Sequence, residues 1–149
     1  MELDGGHARV AVVVARFNAP ITEGLLWGVQ ETLSQHGVAG ERLFVQHVPG
    51  AFEIPLVAKA LAVSGRFNVV IALGCVIRGD TDHYDYVCQG VTHGVLQAGL
   101  ETGVPVIFGV LTTDTTAQAE ARAGKDLAAN KGAEAALAAL EMVSILKSV

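Results

Sequence analysis

The sequence predicts an α/β fold: one domain with a parallel, four-stranded sheet covered by helices on both faces. Three observations carry that reading. Four short runs are rich in β-branched residues, and they alternate with stretches of helical periodicity in the order β-α-β-α-β-α-β-α-α. Strands that alternate with helices imply crossover connections, and so parallel pairing. The chain has 149 residues, 51% of them hydrophobic, which suits one core; no repeat, linker or low-complexity segment divides it.

Residues 1–8 are polar and contain glycine, the composition of a flexible N-terminus, and the folded domain is expected over residues 9–149. Arg9–Ala15 (RVAVVVA) is continuous and β-branched, as a central strand is. The loop at its carboxyl end is Arg16–Pro20. Thr22 is expected to cap the first helix, with Glu23 in the first turn. Leu25, Leu26, Val29 and Leu33 give that helix an apolar face, and Gly37 ends it near His36. In the second strand, Arg42–Val48 (RLFVQHV), the alternation of Leu43 and Val45 with Phe44 and Gln46 suits an edge position. Pro49–Pro55 is a tight turn into a second helix, with Pro55 in the first turn, where proline is tolerated. Leu56, Val57, Ala60 and Leu61 are expected as its buried face, and Gly65 as its end.

Asn68–Ile77 is apolar throughout and reads as a strand buried on both faces. A long helix follows from about Thr81 to Glu101 and stops before Gly103. Pro105–Leu111 is the fourth strand. Thr112–Thr115 closes it and caps a short helix, Thr116–Ala123. Lys125–Asn130 is a loop or a weak helical extension. An Ala-rich helix then runs from Asn130 to about Lys147, with Leu137, Leu140, Val143, Ile145 and Leu146 as its apolar contacts.

Composition excludes several classes. Only 17% of residues are charged, little for coating a small domain, which points to surface that meets other subunits. The net charge is −5 and no basic run occurs, so nucleic acid is not an expected partner. No apolar stretch reaches the length of a membrane span before glycine or a polar residue breaks it, so no membrane association is expected. Residues 1–7 lack the charged and apolar regions of a secretory signal. Cys75 and Cys88 lack metal-ligand spacing and suit buried thiols in a reducing cytoplasm. His7, His36, His47 and His93 form no ligand pattern, so no metal is expected. Walker, G-x-G-x-x-G, G-x-S-x-G and H-E-x-x-H motifs are absent.

The chemistry gathers where strands exit. In GCVIRGDTDHYDYVCQG, Gly74–Gly90, a buried strand ends at Arg78-Gly79-Asp80-Thr81 and a helix opens at Asp82-His83-Tyr84-Asp85. Open α/β sheets bind ligands outside such strand ends, and helix N-terminal amides favour anions there. Gly79 admits a close backbone approach, and His83 can move protons near neutral pH. On spacing alone His83 is equally a surface histidine on a capped helix. The other exits carry Phe17-Asn18 and Gly50-Ala51-Phe52-Glu53. An aromatic ring at a loop tip either stacks a planar heterocycle or plugs the core. Glu53 either serves a helix dipole or accepts from ligand hydroxyls. Arg122 and Lys131 flank a glycine-containing loop; arginine is the better bidentate partner for phosphate, and Arg78 is its rival.

Six segments in this order resemble one family: Phe17-Asn18, VPGAFEIP at Val48–Pro55, GCVIRGDTDHYDYVC at Gly74–Cys88, PVIFGVLTTDT at Pro105–Thr115, QAEARAG at Gln118–Gly124 and NKGAEAA at Asn130–Ala136. From about Arg9 to its end the chain is similar to the lumazine synthases (6,7-dimethyl-8-ribityllumazine synthases) of riboflavin biosynthesis. The resemblance implies a flavodoxin-like fold and a homopentamer, decamer or sixty-subunit shell with active sites between adjacent subunits. It implies a transferase that joins 5-amino-6-(D-ribitylamino)uracil to 3,4-dihydroxy-2-butanone 4-phosphate, releasing inorganic phosphate and water, with no metal or organic cofactor. Phe17, beside Asn18, is implied to stack on the pyrimidine. Ala51, Phe52 and Glu53 are implied to hold the ribityl chain, and Val76 and Ile77 to line the heterocycle's pocket. Gly79, Asp80 and Thr81 become the phosphate cradle and His83 the proton shuttle. From the adjacent subunit, Arg122 pairs with the phosphate, Phe108 covers the ring and Lys131 reaches the heterocycle.

Two places depart from the family pattern. Gln89-Gly90-Val91-Thr92-His93-Gly94 replaces the more usual acidic residue and Ala-Ala-Lys-Gly, and Gly90 inside a helix suggests close packing against a second subunit. The segment Gly124–Asn130 is one residue longer than in shell-forming members, which favours a pentamer and loosens the placement of Lys131. Two alternatives share the scaffold: an archaeal-type riboflavin synthase that condenses two lumazines, and a carrier that binds a lumazine or flavin without turnover. The full Gly74–Cys88 segment with Arg122 argues against both.

Overall fold

A computed structural model of the chain describes residues 5–149. Strands β1 (Val10–Ala15), β2 (Leu43–Val48), β3 (Val69–Ile77) and β4 (Val106–Thr113) form one sheet in the order β2-β1-β3-β4, parallel throughout. Among the described residues five α-helices accompany it: α1 (Ala19–Gln35), α2 (Ile54–Val63), α3 (His83–Thr102), α4 (Thr116–Ala121) and α5 (Lys131–Ser148). β1 and nearly all of β3 are buried, as unbroken apolar runs require. Alternate residues serve two cores. Val10, Val12, Val14, Ile71, Leu73 and Cys75 pack with α1 and α5. Ala11, Val13, Ala15, Val70, Ala72 and Val76 pack with α2 and α3. β2 is half-buried at the sheet edge, as its alternation predicts.

The helices begin and bury differently from the sequence expectation in several places. α1 starts at Ala19, not beyond Thr22. Asn18 precedes it in the left-handed region (φ 64°), Pro20 sits in its first turn, and Thr22 is buried inside. Asparagine tolerates that backbone, and proline's fixed φ suits a first turn, so these two residues rather than Thr22 set the start. Glu23 lies beyond the first turn and reaches His47 at 3.2 Å. α2 buries Ile54, Ala58, Leu61 and Ala62, leaving Leu56 and Ala60 exposed. The helix begins at Ile54, whose Cδ1 packs close against Gly74, and that contact fixes the phase.

α5 buries Ala133, Ala135, Ala136 and Ala139 with Leu140 and Val143, while Leu137, Ile145 and Leu146 are partly exposed. The alanines face inward because α1 approaches closely. A Cβ on Gly132 would fall 2.0 Å from the Leu25 carbonyl oxygen. α4 is shorter than expected; Thr115 and Gln118 form a full capping box at its start. The loop after it contains a 3₁₀ turn, Leu127–Ala129. β4 runs two residues further than expected because β3 pairs with it as far as Ile77 and Thr113. Of the expected flexible N-terminus, residues 1–4 lie outside the described residues. Gly5 donates its amide to the His36 carbonyl at 2.7 Å and Ala8 is buried, so part of residues 5–8 packs against the domain.

Candidate active site

The register brings the four carboxyl ends to one side, with Ala15 beside Val48 and Ile77 beside Thr113. Backbone bonds then tie the exit loops together. The Arg16 and Phe17 amides donate to the Val48 and Pro49 carbonyls at 2.8 and 3.0 Å, and the Arg78 amide to the Thr113 carbonyl at 2.8 Å. Strand order reverses between β1 and β3, the point where such sheets open a crevice. Asn18 spans it, its Nδ2 donating to the Cys75 carbonyl at 2.9 Å.

A cleft of about 700 Å³ opens there. Phe17, Ala51, Phe52, Glu53, Val76, Ile77, Gly79, Thr81 and His83 all line it. Phe17 and Phe52 are 70% and 60% exposed, so neither plugs the core. The ring of Phe52 lies where a Cβ on Gly90 would sit, 2.4 Å from Phe52 Cε1. Gly90 therefore makes room for an aromatic of its own chain. At Gly79 an added Cβ would meet nothing within 4 Å, so space rather than internal packing surrounds that backbone. The α3 N-cap, Asp82, makes no side-chain cap bond; the His83 amide reaches Thr81 Oγ1 at a long 3.4 Å, and the helix start still presents the dipole end that suits an anion.

Of the residues expected from this subunit's own side of the site, Asp80 and Asn18 stand apart from this cleft. Asp80 is exposed between Gly79 and Thr81 but does not line the wall. The Asn18 side chain is committed to the Cys75 carbonyl, and it borders a neighbouring hollow with Pro20, Ile21 and Thr116. Arg78, the rival cation, is also committed. Its Nε holds Asp114 at 2.9 Å, its Nη1 lies 3.8 Å from Asp85, and its guanidinium stacks on Tyr84 at 4.3 Å. The Asp114 hydrogen bond raises its already high pKa further.

Phe108, Arg122 and Lys131 are not brought to the first cleft. They line a second one of about 390 Å³, with Thr113 and Glu134, along β4 and α5. Arg122 Nη1 donates to the Gln118 carbonyl at 2.8 Å, and Lys131 Nζ pairs with Glu134 at 2.8 Å. Thus one chain carries two separate groups of the expected residues, one with His83 and one with Arg122.

A family model described as 6,7-dimethyl-8-ribityllumazine synthase matches residues 7–147. The chain belongs to the lumazine synthase family. It is accordingly a transferase of riboflavin biosynthesis, and its four-stranded parallel sheet is the flavodoxin-like arrangement of that family.

The first cleft also uses residues to which sequence reasoning gave no site role: Pro49, Cys75, Tyr84, Tyr86 and Val87. Val87 lies one helical turn beyond His83, so the helix period could have found it. Burial pushes the Tyr84 hydroxyl and the Cys88 thiol above their ordinary pKa values, and lifts Cys75 to about 11. Among the described residues no group of three His, Cys, Asp or Glu could hold a metal ion. No helix among them is long and apolar enough to cross a membrane.

Proposed function

We propose that this lumazine synthase family member joins 5-amino-6-(D-ribitylamino)uracil to 3,4-dihydroxy-2-butanone 4-phosphate. The amine and ketone condense to an imine, phosphate is eliminated, and ring closure with loss of water gives 6,7-dimethyl-8-ribityllumazine. The observation that carries this reading is the division of the expected residues between two clefts of one chain. The first cleft offers an aromatic wall, a carboxylate, a glycine loop and a histidine beside one helix start. What it lacks is a free cation, because Arg78 is held by Asp114 and Asp85. The second cleft supplies Arg122, whose Nη1 donates to a neutral carbonyl, beside Lys131, which is itself paired with Glu134. A site that brings both together needs a second copy of the chain.

In that site Phe17 stacks on the pyrimidine, and Ala51, Phe52 and Glu53 hold the ribityl chain. Val76 and Ile77 line the ring pocket, Gly79 and Thr81 cradle the phosphate, and His83 moves protons. Asn18 acts by fixing the Phe17 loop, and Asp80 borders the cradle from the solvent side. The neighbour's Arg122 pairs with the phosphate, its Phe108 covers the ring and its Lys131 approaches the heterocycle. Exposed apolar side chains on α2 and α3, among them Leu56, Val63, Leu96 and Leu100, support a homo-oligomer, the longer Gly124–Asn130 segment favours a pentamer, and the free thiols of Cys75 and Cys88 suit a reducing cytoplasm.

Positioning two substrates supplies much of such a rate enhancement, and a proton shuttle contributes ~10²–10⁴-fold. The test is a turnover assay with both substrates, following the absorbance and fluorescence of the product. His83→Ala should slow turnover by about 10²–10⁴-fold without abolishing it. Arg122→Ala should raise KM for the phosphorylated substrate far more than for the pyrimidine. Absence of product above the spontaneous background, from protein that still binds a ribityl-pyrimidine analogue, would leave a carrier as the correct reading.

A further inference from the structure

Asn130 is the most completely engaged polar side chain of the second cleft's framework. It is 1% exposed, yet it carries no charge and lies away from the first cleft. Its Oδ1 accepts from the Gly132 and Ala133 amides at 2.8 and 3.1 Å and so caps α5. Its Nδ2 donates to the Gly124 carbonyl at 2.8 Å and to the Gly24 carbonyl of α1 at 3.1 Å. One amide therefore links three pieces: α1, the loop that leaves α4, and the start of α5. The Lys131 amide adds a further tie, donating to the Arg122 carbonyl at 2.8 Å.

Glycines clear the ground for this junction. A Cβ on Gly28 would lie 2.1 Å from Asn130 Oδ1, and one on Gly24 would lie 2.2 Å from the Ala123 carbonyl oxygen. Helix α1 is thus notched where the loop and Asn130 press into it. Arg122 and Lys131 sit at either end of the pinned loop, and both line the second cleft.

We infer that Asn130 is a positioning residue that holds Arg122 in register for the phosphate of a substrate bound against a neighbouring copy. The inference rests on the phosphate role proposed above for Arg122. An asparagine does this better than an ordinary N-cap because it has donors as well as an acceptor. Serine or aspartate could cap α5, but neither can donate to both carbonyls. In Asn130→Asp a carboxylate oxygen would face the Gly24 and Gly124 oxygens that Nδ2 now serves.

The experiment is a double-mutant cycle in the assembled protein, with Asn130→Ser and the isosteric Asn130→Asp each made alone and with Arg122→Ala. Size-exclusion chromatography first establishes that each variant assembles; Asn130→Asp keeps the cap but buries a carboxylate against two carbonyls, so the uncharged Asn130→Ser guards against loss of fold. The readouts are KM for each substrate and the inhibition constant of inorganic phosphate. Both Asn130 variants should raise KM for the phosphorylated substrate and the phosphate inhibition constant about tenfold, an ångström-scale misplacement costing up to about a hundredfold. In the Arg122→Ala background the same changes should have almost no further effect. Wild-type constants in Asn130→Asp would overturn the inference, since the cap alone would then suffice. An undiminished effect in the Arg122→Ala background would overturn it as well. If Arg122→Ala by itself leaves both phosphate constants unchanged, the phosphate reading of Arg122 fails, and this inference fails with it.

Discussion

Cys75 lies near the end of β3, two residues before Ile77, with its side chain in the core shared with α1 and α5. Burial disfavours the thiolate and moves the pKa from 9.0 to about 11. The folded chain therefore holds this proton more tightly than the unfolded one. Stability from this group is present below the unfolded pKa, near 9, and is lost as pH rises towards about 11. Denaturation midpoints should fall across that window, and Cys75→Ala should flatten part of the slope. Native protein at pH 8 should also leave Cys75 unlabelled by a maleimide that reacts at once after unfolding; rapid native labelling would refute its burial. Individual residues were unevenly legible. His83 announced itself because it follows a buried strand and a glycine loop. The engagement of Asn18 did not, because its partner carbonyl at Cys75 is 57 residues away.

Among elements, the pairing of α1 with α5 shows how backbone proximity selects small residues. Gly132 opens α5 where the Leu25 carbonyl passes, and the alanines that follow face the same side. Gly132→Ala would ordinarily gain about 1 kcal/mol of helix propensity. Here the new Cβ meets backbone at 2.0 Å, so the helices must part. Overpacking of this kind costs about 1–3 kcal/mol, and net destabilisation is the expected sign. Chemical denaturation measures it; a stabilised variant would show that the helices separate freely. This packing also explains why the sequence misjudged α5. Leucine and isoleucine are the usual markers of a buried face, but a close helix pair buries alanine instead. Strands were read more faithfully than helices, since a continuous β-branched run has one reading in a parallel sheet.

The whole molecule carries one cleft at the strand ends beside α3 and another along β4 and α5, and the proposed site joins them across copies. Complementation tests that arrangement directly. His83→Ala and Arg122→Ala chains, each impaired alone, should regain activity when unfolded together and reassembled. With random mixing in a closed ring, about a quarter of the sites would combine an intact His83 with a neighbour's intact Arg122. Mixed assemblies no more active than the average of the two parents would place both residues in one subunit's site. By itself the sequence determined the α/β class, the strand order along the chain and the residue types of the cleft. Those follow from local periodicity and from loop composition, which neighbouring residues carry. Only the tertiary structure decided which side chains are already engaged. It tied Arg78 to Asp114, Asn18 to Cys75 and Asn130 to α1, and it parted Arg122 from His83. Such commitments depend on distances between residues far apart in the chain, and the periodicity of a sequence holds no record of them.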